Sequence, residues 1–249
     1  MLFGSRKLQA RIRASPRSLA YFLMCCHRSF TTTRVNALNI AVITGTTRTQ
    51  GPPRPILGPR VASFITKSLE ARGNTYTVVD PNSFELLDKP QFAYASSQVP
   101  AHLKDVQKIL EDADAYVCVT PEYNHAPSPG LLNVLNHFGS STFSFKPSAI
   151  VSYSAGQWGG TRAAIALRPI LSELGCLPVS AMIHLPSAQE IFDEDGNPYE
   201  NTEKWQNYTD RCFSQLEWWG TAAKKHKAET DPFDQSPSLQ KDPSQRNAP

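Results

Sequence analysis

The chain has 249 residues, of which 40% are hydrophobic and 19% charged, a size and composition typical of one globular domain with short appendages. The formal net charge of +3 is unevenly distributed, because the first acidic residue is Glu70 and eleven Lys or Arg residues precede it. The basic excess therefore belongs to one end of the chain and does not indicate a nucleic-acid-binding protein.

The N-terminal segment, residues 1–37, contains seven Lys or Arg side chains among serines and threonines. This composition predicts a mitochondrial transit peptide, because a positively charged amphipathic segment suits import driven by a potential that is negative inside. The sequence RSFT at 28–31 resembles a presequence cleavage site. Two other interpretations stay open, a secretory signal with its apolar region at 19–26 and a disordered arm. Eight apolar residues are too few to cross a bilayer. From the basic leader we expect a protein of the mitochondrial matrix, with the cytoplasm as the alternative.

The five cysteines and the histidines do not have the spacing of a metal site. The cysteines form no CxxC pair, which favours a reducing compartment over a disulfide framework. We expect Cys118 and Cys176 to be small buried hydrophobic residues. His102, His125, His137 and His184 are expected to be exposed or packed rather than metal ligands.

Five short apolar runs alternate with segments of helical periodicity. The predicted strands are 38–44, 75–80, 115–120, 148–154 and 179–185. The predicted helices are 58–72, 99–111, 129–138, 160–174 and 202–227. This alternation predicts an α/β fold, a three-layer sandwich in which helices cover both faces of a five-stranded parallel sheet.

The last predicted helix and the segment after it complete the domain organisation. A stripe of side chains along 202–227 predicts packing against the core or against another subunit. Its members are Trp205, Tyr208, Cys212, Leu216 and Trp219. A homodimer or homotetramer is therefore expected. Residues 229–249 are polar and rich in proline, which predicts a disordered tail, so the folded domain is predicted to span 38–228.

Ligands of open parallel sheets bind beyond the carboxyl ends of the strands, so the loops after the first, third and fourth strands are candidates. The first loop contains Gly45, Thr46, Thr47 and Arg48. Two hydroxyls, an arginine that can form two charge-assisted bonds and the free N–H groups of the next helix predict a phosphate site. An ordinary turn is the alternative. The loop contains neither a P-loop motif nor G-x-G-x-x-G.

The other two loops have features that suit a flat polar ligand. In PEYN at 121–124, Tyr123 offers an aromatic face and Asn124 an amide that can donate and accept hydrogen bonds. Alternatively, Asn124 caps the next helix and Tyr123 packs. The loop after the fourth strand has glycines at 156, 159 and 160, where a backbone can approach a ring, and Trp158 as a shield. An ordinary strand-to-helix turn explains the same glycines.

Together the three loops resemble those of the NADPH-dependent FMN reductases, a family of flavodoxin-like fold that includes reductases of quinones, azo dyes and chromate. The resemblance covers residues 39–185. It rests on GTTR at 45–48, PEYN with Leu131 and Asn133 downstream, and SAGQWGGTRAAIALRPILSELG at 154–175. It implies a flavodoxin-like three-layer sandwich that binds FMN and uses NADPH as its co-substrate.

The resemblance also implies roles by position. Thr46 and Arg48 match the residues that hold the FMN phosphate. The residues that match the segment lining the isoalloxazine and ribityl chain are Pro121, Glu122, Tyr123 and Asn124. The residues that match the loop beside the ring edge are Ser154, Gly156, Gln157, Trp158, Gly159 and Gly160. No catalytic side chain is implied, because the flavin performs the electron transfer. The implied reaction passes hydride from NADPH through FMN to a small acceptor such as a quinone.

The sequence departs from the family pattern in two regions. The family commonly has a lysine and an aspartate where this chain has Leu132 and Asn136, and its first loop is shorter. We expect these differences to affect subunit contacts and substrate access rather than flavin binding. Arg54, in the longer loop, is either a second phosphate contact or insertion surface.

Three other functions stay open. A hydrolase built on Ser154 and His184 would lack both a G-x-S-x-G elbow and an acid partner. A flavodoxin-type electron carrier usually lacks the arginine of the first loop and has a strongly acidic face. A redox sensor loaded with FMN is neither supported nor excluded. NADPH oxidation with a quinone separates the reductase from the carrier and the sensor, which should turn over poorly.

Overall fold

The computed structural model describes residues 37–51, 54–93 and 98–237. The predicted transit peptide, apart from its last residue, and the tail beyond residue 237 lie outside the described residues. Both stay predictions. Within the described part of the predicted tail, Pro232–Gln235 form one helical turn.

A parallel sheet forms the centre of the domain that the described residues build. In chain order its strands are β1 (Asn39–Thr44), β2 (Thr75–Val79), β3 (Ala115–Tyr123), β4 (Ala126–Pro127), β5 (Pro147–Tyr153), β6 (Leu177–Pro178) and β7 (Ile183–Leu185). The order across the sheet is β2-β1-β3-β5, with β6 and β7 both paired to the outer side of β5. Short strand β4 pairs antiparallel with the end of β3. This order is that of flavodoxin-like proteins, so the predicted fold class is confirmed.

Helices cover both faces of the sheet. They are α1 (Gly58–Ala71), α2 (Ala101–Asp112), α3 (Pro129–Asn136), α4 (Ser140–Phe143), α5 (Thr161–Glu173), α6 (Ala188–Ile191), α7 (Thr202–Lys227) and α8 (Pro232–Gln235). Helices α1 and α7 pack on one face, and α2, α3 and α5 on the other. Along β1, Ile40 and Val42 belong to the first layer, and Ala41 and Ile43 to the second. Successive strand residues point to opposite faces, so a strand covered on both sides is apolar throughout.

Two predicted strand boundaries are wrong. Strand β3 continues past residue 120 to Tyr123, because the hairpin to β4 gives its end an antiparallel partner and Pro121 pairs with Tyr153 of β5. The strand predicted at 179–185 begins only at Ile183, and Leu177–Pro178 pair with β5 separately. The fifth strand of the fold is therefore divided in two.

Side chains from two helices hold the backbone between β6 and β7. The Arg168 guanidinium in α5 donates to the carbonyl oxygens of Pro178 and Val179 at 3.2 and 2.8 Å. On the other face, Oε1 of Gln215 in α7 accepts from the N–H of Ala181 at 3.2 Å. These bonds satisfy backbone groups in the gap between the two strands. Because both partners lie outside the segment, Arg168 in the preceding helix and Gln215 much later in the chain, local periodicity does not reveal the break.

A buried ion pair fixes α7 against the edge of the sheet. Arg72, which follows α1, donates two hydrogen bonds to Glu217, at 2.8 and 2.6 Å. The amide of Asn74 donates to Oε1 of Glu217 at 2.8 Å and accepts from the N–H of Leu38 at 3.2 Å. The pKa of Arg72 is raised, chiefly by its hydrogen bonds to Glu217. Glu217 is buried, so removing one of these partners would leave a buried polar group without its hydrogen bond.

The aromatic stripe of α7 is divided between the core and the surface. The helix has the bounds that the sequence predicts. Cys212 and Leu216 are buried in the core, and Trp205 packs against Phe192. Tyr208 and Trp219 are 38% and 47% exposed. Packing against the core is confirmed for the middle of the helix, while a subunit contact stays a prediction.

The three described cysteines are buried free thiols, Cys118, Cys176 and Cys212. Burial raises the pKa of Cys118 and of Cys212 to about 12, so both stay protonated. The prediction that Cys118 and Cys176 are small buried residues is confirmed. In the described part of the chain, no three His, Cys, Asp or Glu side chains are arranged to hold a metal ion. No helix described there is long and apolar enough to cross a membrane.

Replacing Glu217 with alanine should destabilise the domain by about 2 to 4 kcal/mol, because Arg72 and Asn74 lose a buried acceptor. Urea unfolding followed by circular dichroism measures the change. The control is Asp112→Ala, whose carboxylate pairs with Lys108 on the surface at 2.8 Å and should leave stability unchanged. Similar stabilities of the two variants would show that α7 does not depend on the buried pair.

Candidate functional site

A cleft of about 370 Å³ opens at the carboxyl ends of β1, β3 and β5. Its walls come from the three loops that the sequence indicates, together with the start of α1. The lining residues are Thr46, Arg48, Arg54, Pro55, Ile56, Leu57, Gly58, Pro121, Glu122, Tyr123, His125, Tyr153, Ser154, Ala155, Gly156, Trp158 and Arg162. Ligands of doubly wound sheets bind at this edge, and the volume is that of a small-molecule site.

Buried hydroxyl groups fasten the first two loops to each other. Ser128 donates to the carbonyl of Gly45 at 2.6 Å and accepts from the N–H of Leu131 at 3.3 Å, so it caps α3 while it holds the first loop. Its own N–H donates to Oγ1 of Thr120 at 3.0 Å. Ser128 and Thr120 are both buried. Because buried polar groups are costly unless they are bonded, this network fixes the ends of β1 and β3 relative to each other.

Close packing of the first loop on α3 explains two glycines. A Cβ at Gly45 would collide with the Ser128 hydroxyl and lie 2.9 Å from Cβ of Leu131. A Cβ at Gly130 would lie 2.7 Å from Cγ2 of Thr47 and 2.8 Å from the carbonyl oxygen of Gly45. The backbone of the first loop therefore lies directly on the first turn of α3, which turns Thr46 and Arg48 toward the cleft.

The two predicted phosphate-binding residues are neighbours in the cleft wall. Thr46 is buried, and its hydroxyl accepts from the N–H of Arg48 at 3.3 Å. The Arg48 guanidinium donates to the carbonyl oxygens of Arg54 and Gln50 at 2.9 and 3.4 Å. The described residues of the longer first loop therefore fold back and hold the arginine at the cleft. Asn82, which the sequence does not indicate, donates to the carbonyl of Thr46 at 2.7 Å.

The PEYN segment is the end of a strand followed by a tight hairpin turn. Asn124 and His125 have φ of 50° and 67°, as in the type I′ turns that join antiparallel strands. Pro121, Glu122 and Tyr123 line the cleft, whereas Asn124 is exposed at the turn and does not. The structure thus places Asn124 outside the cleft, because the hairpin needs a residue that tolerates positive φ there. Ser128 caps α3 in its place.

Glu122 has a structural task at the N-terminus of α5. Its Oε2 accepts from the N–H groups of Arg162 and Ala163 at 3.0 and 3.2 Å, and its Oε1 lies 3.5 Å from Nη1 of Arg162. The first N–H groups of a helix have no partner within the helix, and the positive end of the helix dipole favours a carboxylate. Glu122 therefore joins β3 to the third loop.

The third loop has a part that lines the cleft and a part that packs beneath it. The lining residues are Ser154, Ala155, Gly156 and Trp158. A Cβ at Gly156 would meet nothing within 4 Å, so this wall is open. Gly159 and Gly160 are buried with φ of 60° and 75°, and a Cβ there would press on the backbone of β7 or β5. These two glycines serve the strand-to-helix turn, and Gln157 is exposed outside the cleft.

Several lining residues are not predicted from the sequence, among them Tyr153, His125 and Arg162. Tyr153 ends an apolar strand, so its position alone suggests a core residue. Arg162 lies in the glycine-rich segment of the resemblance, and its guanidinium carbon is 5.3 Å from the ring centre of Trp158, which is 60% exposed. This cation–π pair lies at the rim of the cleft. Ser128 could have been recognised, because serine before proline is a common helix start.

The serine–histidine pair of a hydrolase does not form at Ser154. Nδ1 of His184 lies 2.8 Å from Oγ of Ser152, which is fully buried and donates to the carbonyl of Gly159 at 2.8 Å. Because that bond uses the hydroxyl proton, Nδ1 of His184 is the donor to Ser152. Burial lowers the pKa of His184. Ser154 donates to the carbonyl of Gly156 at 2.8 Å, so neither serine has the histidine base that activates a nucleophile.

Residues 38–190 match the sequence model of a family described as NADPH-dependent FMN reductase. An NAD(P)H-dependent FMN reductase of Pseudomonas aeruginosa is 34% identical over 101 residues, 39% of this chain and 55% of that protein. A quinone reductase of Pseudomonas putida is 30% identical over 122 residues, 46% of this chain and 65% of that protein. The alignments thus span less than two thirds of these relatives.

The fold also resembles that of a solved flavoenzyme. The structure of FerB, an NAD(P)H:acceptor oxidoreductase from Paracoccus denitrificans, superposes with a TM-score of 0.60 at 20% identity, covering 73% of this chain and 98% of that one. At this level of identity, the similarity supports the flavodoxin-like fold.

Gly45→Ala should destabilise the domain by about 1 to 3 kcal/mol, because the added methyl group overlaps the Ser128 hydroxyl that caps α3. Thermal unfolding measures the effect. The matched control is Gly156→Ala, since its Cβ would point into open space, and it should change stability by less than about 0.5 kcal/mol. Equal melting temperatures would contradict the packing of the first loop on α3.

Proposed function

The chain belongs to the NADPH-dependent FMN reductase family, and on that premise we propose that it binds FMN in the cleft and uses NAD(P)H to reduce a small acceptor such as a quinone. The observation that carries the proposal is the combination of residues that line the cleft. The first loop contributes hydroxyl and guanidinium donors, and the second and third loops contribute a glycine and exposed aromatic residues. A phosphorylated flat ring requires this combination.

The charge of the cleft suits a phosphate. Arg48, Arg54 and Arg162 line it, and Glu122 already accepts from the N-terminus of α5. Helix α1 begins beside Thr46 without a capping side chain and without an acidic residue in its first turn. Pro59 has no N–H, so the N–H groups of Gly58 and Arg60 are the ones in this turn available to an anion. Thr46 and Arg48 would hold the FMN phosphate, with Arg48 providing charge-assisted hydrogen bonds.

Other residues of the cleft wall suit the isoalloxazine ring. The open space at Gly156 lets a ring approach the backbone of the third loop. Tyr123 and Trp158, which are 38% and 60% exposed, supply aromatic faces. FMN, when bound, supplies the redox chemistry. The chain would then orient first the nicotinamide and later the acceptor against the ring.

The proposal requires no catalytic acid from the protein. Glu122 is the carboxylate that lines the cleft, and its oxygens are engaged by α5 and Arg162. We propose that NAD(P)H and the acceptor occupy the same open part of the cleft in turn, beside Trp158. Steady-state kinetics should then give parallel double-reciprocal plots. Intersecting plots would contradict alternating occupancy.

The same kinetics separate the reductase from an electron carrier or a redox sensor that binds FMN. A reductase should oxidise NAD(P)H continuously when a quinone is supplied, whereas a carrier or sensor should turn over poorly. Location in the mitochondrial matrix and a homodimer or homotetramer also belong to the proposal. Import of a fluorescent protein fused to residues 1–37, and the mass of the full chain by light scattering, would test these two points.

The absorbance spectrum of the purified protein is the primary test, and it should show a flavin that is identified as FMN after release. Arg48→Ala should weaken FMN binding by about 1.5 to 3 kcal/mol, because a charged hydrogen bond to the phosphate is lost. Binding of riboflavin, which lacks the phosphate, should not change. Fluorescence titration measures both constants.

The matched control for charge is Arg211→Ala, because Arg211 is exposed on α7 and does not line the cleft. It should bind FMN like the wild type. A colourless wild-type protein that does not bind added FMN would overturn the proposed function. Unchanged FMN affinity in Arg48→Ala would remove the first loop from the phosphate site.

A further inference from the structure

A second pocket, of about 520 Å³, lies at the opposite end of the sheet from the cleft. It is bordered by Pro147 at the start of β5, by Leu177 at the start of β6 and by the last turns of α7. The cleft, in contrast, reaches Tyr153 at the end of β5. The length of that strand, about 20 Å, separates the two. The volume is that of a small-molecule site.

Large hydrophobic side chains form the walls of this second pocket. Trp219 and Leu177 line it and are 47% and 48% exposed. Phe145 also lines it, and its ring packs against Phe233 of α8 with ring centres 5.8 Å apart. Helix α8 therefore contributes to the wall. Exposed hydrophobic side chains around a concave surface indicate a binding site.

The ionisable side chains of the second pocket are basic. Lys146, His226 and Lys227 line it, and no aspartate or glutamate of the described chain does. Apolar walls with basic groups complement a ligand that has an apolar body and a negative charge.

Lys146 is a buried cation whose charge is not neutralised by an ion pair. It is 8% exposed, and its Nζ donates to the carbonyl oxygens of Leu110 and Glu111, both at 2.7 Å. Two of its three protons thus have acceptors, but a buried charge is costly unless it is paired. Burial, and after it the charge of Lys227, lower the pKa of Lys146 to about 8, against smaller effects of the Glu111 and Asp114 carboxylates.

The acidic side chains near Lys227 have other partners. Asp114 forms an ion pair with Lys224 at 2.7 Å. Asp231 accepts from the N–H of Phe233 at 2.9 Å. Within the residues that the structure describes, Lys227 itself forms no ion pair. An anion in the pocket would therefore neutralise charge that the protein leaves unpaired.

We infer that this pocket binds a small apolar carboxylate. The apolar body packs against Trp219 and Leu177, and the carboxylate lies beside Lys227, where the charge of Lys146 also stabilises it. Residues 238–249 fit less well, because they contain two basic residues and one acidic residue. An isologous contact between two copies would bring the same basic side chains together. The site is separate from the cleft and does not depend on FMN.

The test is calorimetric titration of the full chain at pH 7 with decanoate, below its micelle concentration, and with 1-decanol as the neutral analogue. Decanoate should bind about tenfold more tightly than decanol, the effect of one hydrogen bond between charged groups. Lys227→Gln should weaken decanoate binding about tenfold and leave decanol binding unchanged. Equal affinities for the two molecules, or no binding of decanoate, would overturn the inference.

Two control variants locate the site. Lys225→Gln removes a charge from the same turn of α7, but Lys225 is exposed and does not line the pocket. Arg48→Ala removes a charge from the cleft. Both should bind decanoate like the wild type. A loss in Lys225→Gln equal to that in Lys227→Gln would show that only net charge matters, and a loss in Arg48→Ala would place decanoate in the cleft. Either result would overturn the inference.

Ala223→Leu tests the pocket without changing its charge. Ala223 lines the pocket and is half-buried, so the larger side chain should weaken decanoate and decanol together while FMN binding stays unchanged. Unchanged decanoate affinity would contradict the site. A halved mass in light scattering would identify the pocket as a contact between copies and overturn the inference as well. A wild-type chain that binds decanoate but not FMN would overturn the proposed function alone, so the two failures are distinguishable.

Discussion

The hydroxyl of Ser128 is the contact on which the geometry of the cleft depends. It bonds the carbonyl of Gly45 at the end of β1 and caps α3, while the Ser128 N–H bonds Thr120 at the end of β3. No side chain larger than hydrogen fits at Gly45 against it. Because these polar groups are buried, leaving one unpaired would cost free energy comparable to a lost hydrogen bond. These bonds within the chain therefore fix the position of the first loop relative to β3 and α3.

Hydrogen bonds from other elements also hold the third loop in place. Glu122 on β3 accepts hydrogen bonds from the N-terminus of α5. The N–H of Ser154 donates to the carbonyl oxygen of Leu185 in β7 at 3.2 Å. Helix α7 supports β7 in turn, since the Tyr208 hydroxyl accepts from the N–H of His184 at 3.0 Å. Glu122, the carboxylate in the cleft wall, therefore has a structural role. The cleft keeps an excess of arginine, which favours an anionic ligand.

The fold was largely predictable because its signals are local. Apolar runs alternating with helical periodicity predict the sheet, its two helical layers and the bounds of α7. The division of the fifth strand was not predictable, because the gap is held from outside the segment, by Arg168 in the preceding helix and by Gln215 far along the chain. The extension of β3 depends likewise on its pairing with β4 and β5. Periodicity within one segment contains no record of either partner.

For the cleft, turn residues and charges indicate which three loops take part and place Thr46 and Arg48 in the first of them, because these are local properties of the chain. Which side chains face inward depends on long-range packing. It placed Asn124 on a hairpin turn, gave Gly159 and Gly160 to backbone packing, and brought Tyr153 beside Thr46. The direction of a side chain depends on what the backbone packs against, and those neighbours come from distant parts of the chain.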